Sequence, residues 1–329
     1  MGREQLAMSE REIIMIRTSE GWGPAQIARQ IGRDKGTICR ELRRNATVPG
    51  GCSAHQAGAF AAMRRAAPRR GAKMADGRIR AYVESGLCNF WSPEQIAGRM
   101  KEDHPQDATM RVCHETVYRF IGRQKLAGVD FTPYLRQRHA RNGYGWRGKH
   151  RFKRIRDPRS IDQRPAEVQQ RKQAGHFESD TLRGSGNSPS GIATHVERMT
   201  RYLVAALLNT RKAAAYNAAT LAAFAAQPGL PRLSFTVDNG MEFAEHRALE
   251  KEMGALVYFA HPYHAWERGT NENTNGLLRQ FFPKGADLGG VNEAELQRVV
   301  ALLNNRPRKC LGYRTPAEAM HKEIVAFRN

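Results

Sequence analysis

Three carboxylates in the second half of the chain follow or occupy short apolar segments. Asp180 lies in "HFESDTL", Asp238 follows "RLSFTV", and Glu272 lies in "ERGTNENTNG" just before "LLRQFF". Carboxylate oxygens are hard ligands that suit Mg²⁺, and Mn²⁺ as its substitute, because such ions take a few protein carboxylates together with substrate phosphates. Two ions about 4 Å apart can activate one oxygen and stabilise another in a phosphodiester displacement. If the three acids converge, they predict a metal-dependent phosphodiester chemistry.

The elements that carry these acids follow a regular order along the chain. "HFESDTL", "IATHVER" and "YLVAALL" are typical of three strands, and they precede a helix in "RKAAAYNAATLAAFAA". A strand in "RLSFTV", a helix in "EFAEHRALEKEMG", a strand in "ALVYFA" and a final helix follow. This order predicts an α/β ribonuclease H-like (retroviral integrase-like) domain over 165–329. Ligands of open α/β sheets collect outside the carboxyl ends of the strands, where the three acids are expected.

The segment around Glu272 is predicted to enter an amphipathic helix. Its apolar residues have helical spacing up to Pro283, and they are Leu277, Leu278, Phe281 and Phe282. Asn271 and Asn273 flank the carboxylate and are expected to hydrogen-bond phosphate or backbone. Glu267 is a rival ligand, but it precedes Gly269 in a stretch that is less suited to a rigid site.

Charge predicts a polyanionic partner. The chain has 329 residues and a net charge of +21, and residues 1–160 hold 32 of the 53 Lys and Arg residues but only 15 of the 32 Asp and Glu residues. Cationic side chains that neutralise phosphates release counterions and so drive binding to nucleic acid. Ten basic residues fall between Arg136 and Arg159, which predicts a DNA-tracking linker over 126–164. Its expected DNA contacts are Arg151, Lys153, Arg154 and Arg156.

The first 50 residues predict a helix-turn-helix domain. Pro24 suits the first position of a second helix, Gly32 suits its end, and Asp34 can cap a third helix. Ile38 and Leu42 would face inward. The residues left outward on this recognition helix are Lys35, Thr37, Arg40, Arg43 and Arg44. A plain three-helix bundle with a wet basic face is the alternative, and the short turn that contains glycine favours helix-turn-helix.

A weaker repeat predicts a second helix-turn-helix over 76–125, joined to the first by a basic connector over 51–75. "SPEQIAGRM" repeats "GPAQIARQI", and "VCHETVYRFI" takes the place of "KGTICREL" after an eleven-residue insertion. The side chains expected to contact DNA here are His114, Thr116 and Arg119.

Other signals are weaker. The five cysteines are scattered and read as reduced thiols, and a zinc site built from Cys39, Cys52, His55, Cys113 and His114 lacks a C-x-x-C pair. His176, His261 and His264 could serve as bases or metal ligands, but beside an oxygen-rich Mg²⁺ site they are read as DNA contacts or structural residues. Ser179 is not expected to be a nucleophile. Neither a signal peptide nor a long apolar run is apparent, so we expect a cytoplasmic, nucleoid-associated protein.

The sequence resembles the IS30 family of transposases, the DDE enzymes of bacterial insertion sequences. The matching blocks are "TVDNGMEFAEH", "YFAHPYHAWERGTNENTNGLLRQFFPKGADL" and "LNNRPRKCLGYRTPAE", together with the N-terminal helix-turn-helix. The resemblance implies that Asp180, Asp238 and Glu272 are the metal-binding triad, and the 33 residues between the last two match the family's spacing. Where the family has Trp-Glu-Gly-Asp, this chain has Phe-Glu-Ser-Asp, so Ser179 adds a Cβ where Gly allows close backbone approach.

The function implied is binding of the element's terminal inverted repeats, followed by metal-dependent DNA cleavage and strand transfer into target DNA. Synapsis of two DNA ends implies a homodimer or higher oligomer. A transcriptional regulator with an inactive nuclease-like domain is disfavoured because all three acids are present. A ribonuclease H-type nuclease that hydrolyses without joining is disfavoured because it would not need two DNA-reading units.

Overall fold

The structure, a computed structural model, describes residues 5–45, 53–66, 73–136, 155–185 and 188–328. Contacts between Cα atoms divide the chain into two compact units, residues 1–72 and residues 73–329. Among the described residues, no helix combines the length and the apolar character needed to cross a membrane.

The first unit is helical. Its helices are α1 (Met8–Ser19), α2 (Pro24–Ile31), α3 (Lys35–Asn45) and α4 (Ala54–Ala66). Pro24 opens α2, and Gly32 ends it with a φ of 69°, a left-handed conformation that glycine adopts without strain. Asp34 accepts a hydrogen bond from the backbone N–H of Gly36 at 2.9 Å, so it caps α3. The buried core of this unit consists of Leu6, Ile14, Ile27, Ala28 and Ile38.

The second unit begins with three more helices. They are α5 (Gly77–Cys88), α6 (Pro93–Asp103) and α7 (His114–Leu126). Their side chains share one buried cluster, which includes Ile79, Val83, Ile96, Met100 and Val117. Ser92 and Gln95 form a capping box at the start of α6, as the repeat of the "PAQIA" pattern predicts for a helix that opens on proline.

A five-stranded mixed sheet forms the rest of the second unit. Its strands are β1 (His176–Arg183), β2 (Gly191–Glu197), β3 (Leu203–Leu208), β4 (Ser234–Val237) and β5 (Leu256–Phe259). The strand order is β3-β2-β1-β4-β5, with β1 antiparallel to β2 and parallel to β4. The order of strands and helices along the chain is the one predicted from the sequence, so the ribonuclease H-like fold class is confirmed.

Helices cover both faces of this sheet. They are α8 (Ala166–Gln170), α9 (Ala213–Ala225), α10 (His246–Met253), α11 (Gly269–Leu278), α12 (Glu293–Asn304) and α13 (Pro316–Arg328). Phe177 of β1 packs with α9 and α10 in one core, while Leu182 of the same strand packs with α11 and α12 in the other. Since side chains alternate along a strand, Glu178 and Asp180 lie on the α11 face of β1.

Two expectations about boundaries change. Helix α11 ends at Leu278, so Phe281 and Phe282 follow the helix, although Phe282 is still buried in the core of that face. The predicted linker over 126–164 is folded at both ends: Phe131 is buried with α5 to α7, and Ser160 pairs with Phe259 of β5. The part of the linker at 137–154, with Arg151, Lys153 and Arg154, lies outside the described residues.

Candidate active site

Asp180 and Asp238 lie on neighbouring parallel strands. Asp180 is in the second half of β1, and Asp238 is the first residue after β4. The backbone N–H of Thr181 donates to Asp180 Oδ1 at 2.8 Å, and that of Gly240 donates to Asp238 Oδ1 at 2.8 Å. Each carboxylate therefore keeps Oδ2 for other partners.

The guanidinium of Arg268 bridges the two carboxylates. Its Nη1 lies 3.5 Å from Asp180 Oδ2, and its Nη2 lies 3.1 Å from Asp238 Oδ2. Burial raises the pKa of Asp180, the charge of Arg268 lowers it, and the charge of Asp238 raises it again, with a net increase. The carboxylates of Asp180 and Asp238 converge, and the raised pKa of Asp180 shows that a second negative charge here is unfavourable. A nearby positive charge stabilises the ionised pair. The arginine stands where a divalent cation would supply that charge, so the residues fit a metal of the Mg²⁺ type.

Glu272 lies in the first turn of α11, which begins directly after Arg268. Asn275, three residues further along this helix, donates from Nδ2 to Asp180 Oδ2 at 3.1 Å. Glu272 itself is exposed.

Glu267, the rival ligand, is already engaged elsewhere. Its carboxylate accepts a hydrogen bond from the backbone N–H of His261 at 2.8 Å and lies 2.9 Å from Nδ1 of the same residue. The role of Glu272 as the third acid stays a prediction.

Glu178 is a residue whose role sequence reasoning missed. Its buried side chain accepts hydrogen bonds from the backbone N–H groups of Thr270 and Asn271, at 2.8 and 2.9 Å, at the start of α11. Its other oxygen lies 3.4 Å from Nη1 of the buried Arg198. Free N–H groups at a helix N-terminus favour a negative partner, so Glu178 holds α11 against β1. Its position two residues before Asp180 was the available signal.

Glu242 is a fourth acid near the site. It is buried, and Arg183 lies 3.7 Å from its carboxylate. A Cβ added to Gly240 would lie 2.5 Å from Glu242 Oε2 and 2.9 Å from Asp238 Oδ1, so both carboxylates crowd this glycine. The charge of Glu242 also contributes to the raised pKa of Asp180. The only sequence signal for Glu242 was its spacing from Asp238 in "DNGMEF".

The two asparagines beside Glu272 differ. Asn271 was expected to hydrogen-bond phosphate or backbone, and it does the latter: it is fully buried and its amide donates to the backbone oxygen of Glu178 at 2.7 Å, so its side chain is not exposed to DNA in this structure. The helix phase turns Asn271 toward β1, which the sequence could not reveal. Asn273 is exposed and lines a cavity of about 210 Å³ with Arg171, Arg201 and Arg308.

The serine of the Phe-Glu-Ser-Asp string faces the other side of β1. Ser179 is fully buried, and its Oγ lies 2.8 Å from Nδ1 of His195. Burial lowers the pKa of His195 to about 3 and that of His176 to about 4, so both imidazoles are neutral structural groups. Ser179 therefore fills a buried polar contact and does not reach a substrate.

The residues expected to contact DNA in the helix-turn-helix units are mostly exposed. On α3, Lys35, Arg40, Arg43 and Arg44 are exposed, and Thr37 is half-buried with its hydroxyl accepting from Arg40 at 3.2 Å. On α7, His114 and Arg119 are exposed, and Thr116 is half-buried. Arg156 is exposed as well.

Comparison with known proteins defines the class of these two parts. A helix-turn-helix domain family matches residues 3–45, and an integrase core domain family matches residues 170–265. The first match covers α1 to α3, and the second covers the strands that carry Asp180 and Asp238. The chain therefore combines a DNA-binding domain with a nucleic-acid-processing core, and that core implies a requirement for a divalent metal.

Full-length relatives narrow the class to a family. The transposase for insertion sequence element IS1086 of Cupriavidus metallidurans is 37% identical, with 98% of this chain and 96% of the relative aligned. Transposase InsI for element IS30A of Escherichia coli is 35% identical over 97% and 84%. The transposase for element IS4351 of Bacteroides fragilis is 36% identical over 91% and 90%. The chain belongs to the IS30 family of transposases, DDE enzymes that bind DNA and catalyse its cleavage and strand transfer.

Proposed function

We propose that Asp180, Asp238 and Glu272 hold Mg²⁺, with Mn²⁺ as a substitute, and carry out the cleavage and joining of DNA strands. The observation that supports this most directly is the convergence of Asp180 and Asp238 on one guanidinium, that of Arg268. Glu272 lies in the first turn of α11, three residues before Asn275, which contacts Asp180. Arg268 and Asn275 then serve as positioning residues.

The chemistry follows from this placement. Bound divalent ions activate the attacking oxygen and stabilise the leaving oxygen of a phosphodiester. Asp180 and Asp238 stand on rigid adjacent strands, so they fix the place of the scissile phosphate. Arg268 pairs with both carboxylates in this structure, and its cation would be available to pair with DNA phosphate if a metal took its place between them. Water is the nucleophile in cleavage, and the freed 3′-hydroxyl is the nucleophile in strand transfer.

DNA recognition is assigned to the two sets of helices and to basic surfaces near the site. The exposed side chains of α3, with Thr37, read the terminal inverted repeats in the major groove, and His114, Thr116 and Arg119 of α7 make a second set of contacts. Asn273, with the arginine-lined cavity beside it, contacts the DNA backbone, as do Arg156 and the basic residues Arg151, Lys153 and Arg154. Target DNA is bound at the same catalytic face.

The assembly and location are also proposals. Joining of element ends requires two DNA ends in one complex, so the active form is a homodimer or higher oligomer on DNA. A DNA-processing protein of this type acts in the bacterial cytoplasm, in association with the nucleoid.

The proposal is tested with substitutions that keep side-chain size and remove charge. Asp180→Asn, Asp238→Asn and Glu272→Gln should each abolish cleavage of end-labelled element DNA in Mg²⁺, because each removes a charge that holds the metal. Binding of the element ends, measured by gel shift, should stay near wild type.

Glu267→Gln is the matched control for the third acid. Cleavage that persists in Glu272→Gln but vanishes in Glu267→Gln would transfer the role to Glu267. The same gels separate the nuclease alternative, because cleaved ends without any joined product would contradict strand transfer.

A further inference from the structure

A cluster of two histidines and one acid lies in the segment that connects β5 to α11. His261, His264 and Glu267 each direct one ligand atom to a common point, and these atoms lie within 4.8 Å of one another. Nδ1 of His261 is 2.9 Å from Glu267 Oε1, and Nδ1 of His264 is 3.4 Å from the same oxygen. The cluster is half-buried, and its described contacts differ from those of Asp180 and Asp238, which pair with Arg268.

The spacing of these atoms matches a small tetrahedral metal site. Bonds of about 2.0–2.1 Å from Zn²⁺ to nitrogen or oxygen place neighbouring ligand atoms about 3.3–3.4 Å apart. The distance from His264 to Glu267 Oε1, 3.4 Å, lies in this range, and the distance from His261 to the same oxygen, 2.9 Å, is shorter because it is a hydrogen bond. Replacement of that proton by a metal would require the ring of His261 and the carboxylate of Glu267 to move apart.

The far side of His261 supplies an independent observation. Its Nε2 lies 2.9 Å from Asp162 Oδ2, and the hydroxyl of Ser160 donates to that oxygen at 2.7 Å. Metal-binding histidines almost always donate their second ring N–H to such a carboxylate, which fixes the tautomer and orients the ring. With Nε2 held by Asp162, Nδ1 of His261 faces Glu267, and loss of the Nδ1 proton would make this nitrogen available as a metal ligand.

We infer that His261, His264 and Glu267 form a second metal site, for Zn²⁺ or a similar divalent transition metal, with Asp162 as the carboxylate that orients His261. Imidazole ligands suit Zn²⁺, whereas Mg²⁺ prefers oxygen ligands and suits the acids of the catalytic face. On binding, the proton of His261 Nδ1 leaves to solvent, and a water completes the coordination.

The location gives this site a structural role. Glu267 immediately precedes Arg268, and Glu272 follows five residues later on α11. Asp162 belongs to a segment that comes from before β1, so the bound metal would tie the start of the catalytic core to the connection that delivers α11. The metal would hold this connection in place and take no part in strand cleavage.

The test is a titration of the full-length protein with Co²⁺ in a large excess of Mg²⁺, after removal of metals with a chelator. Mg²⁺ occupies the acidic face, so Co²⁺ reports nitrogen-containing sites through its visible absorption. We expect one Co²⁺ per chain, displaced by Zn²⁺, without the near-ultraviolet band of thiolate ligands. His264→Gln and Glu267→Gln should weaken binding at least 10-fold, and Asp162→Ala should weaken it about 10-fold to 100-fold.

His321→Gln is the matched control, since His321 is an exposed histidine on α13, and it should bind Co²⁺ like the wild type. Asp180→Asn should also bind Co²⁺ normally, so failure of this proposal and failure of the proposed catalytic triad can be told apart. Co²⁺ affinity that is unchanged in His264→Gln would overturn the inference. A thiolate band would do the same, because it would place the metal on cysteine, and so would a complete lack of Co²⁺ binding, which would leave His261 as an imidazolium paired with two carboxylates.

Discussion

The ionisation of Asp180 depends on a balance of nearby charges. Burial raises its pKa, Arg268 lowers it, and Asp238 and Glu242 raise it. A raised pKa means that the proton stays on Asp180 to a higher pH than on an ordinary aspartate, so protons compete with metal at this ligand. Arg268 and Glu242 act on the same group with opposite signs.

Because Arg268 lowers and Glu242 raises the pKa of Asp180, replacing each should shift the pH dependence of metal binding in opposite directions. Binding of Mn²⁺ should weaken as the pH falls through the raised pKa of Asp180. Arg268→Gln removes a positive neighbour and should move this loss to higher pH, whereas Glu242→Gln removes a negative neighbour and should move it to lower pH. Titrations of Mn²⁺ followed by its electron paramagnetic resonance signal, at several pH values, measure both shifts. Shifts in the same direction for both variants would contradict this electrostatic account.

At the level of single residues, the sequence predicted the positions of residues that follow from the local pattern of apolar and polar side chains. Asp180 and Asp238 could be placed at strand positions because strand periodicity and strand order are visible in the sequence. The environment of Glu178 was not predictable, because its partners at Thr270 and Asn271 are more than 90 residues away. The burial of Asn271 was not predictable for a related reason, since the rotation of α11 about its axis is set by contacts with β1.

At the level of elements, contacts between β1 and α11 position the residues of the site. On a single strand face, Glu178 binds the N-terminus of α11 and Asp180 faces Arg268. Glu272 follows the held amide of Asn271 by one residue. Under the proposed function, the buried carboxylate of Glu178 therefore positions the acid on α11 relative to the acid on β1.

Glu178→Gln should accordingly weaken metal binding as well as stability. The glutamine cannot neutralise Arg198, and leaving a buried charge unpaired costs about 3–5 kcal/mol. Its single amide oxygen can accept from both backbone donors of α11 only if its N–H₂ group faces the cation of Arg198, so either orientation loses one partner of Glu178 and weakens the anchor of α11. We expect Mn²⁺ affinity to fall about 10-fold or more, as for other residues that orient metal ligands. Equilibrium unfolding and Mn²⁺ binding, measured on the folded fraction, separate the two effects.

Glu197→Gln is the matched control for this element. Glu197 is also a buried carboxylate that accepts backbone hydrogen bonds, from Gly175, Met199 and Thr200, but it has no bond to α11 among its described partners. The Glu197→Gln variant should be less stable than the wild type, and its folded fraction should bind Mn²⁺ with unchanged affinity. An equal loss of affinity in both variants would show that Glu178 acts through general stability alone.

At the level of the whole molecule, helices α5 to α7 are packed on the catalytic core within the second unit. Arg99 of α6 donates to both carboxylate oxygens of Glu318, at 2.5 and 2.6 Å, and lowers the pKa of Glu318 to about 2. Lys309 pairs with Glu94 at 2.6 Å, and the ring of Phe90 packs on Phe281. The sequence predicted a second helix-turn-helix here, but it could not predict this packing, because the partners are separated by about 200 residues.

The closest approach in this packing is at Gly98 of α6, where a Cβ would lie 2.3 Å from the ring of Tyr313. Gly98→Ala should therefore force the ring aside and lower the free energy of unfolding by about 1–3 kcal/mol, as overpacking does. Gly122→Ala on α7 is the control, because its Cβ would meet nothing within 4 Å, and alanine in a helix is favoured by up to about 1 kcal/mol over glycine.

If this contact sets the place of α7 relative to the acids, Gly98→Ala should also spread the cleavage positions on element DNA. Denaturant unfolding and mapping of cut sites on both variants measure these effects, and equal behaviour of the two variants would show that the ring yields without cost.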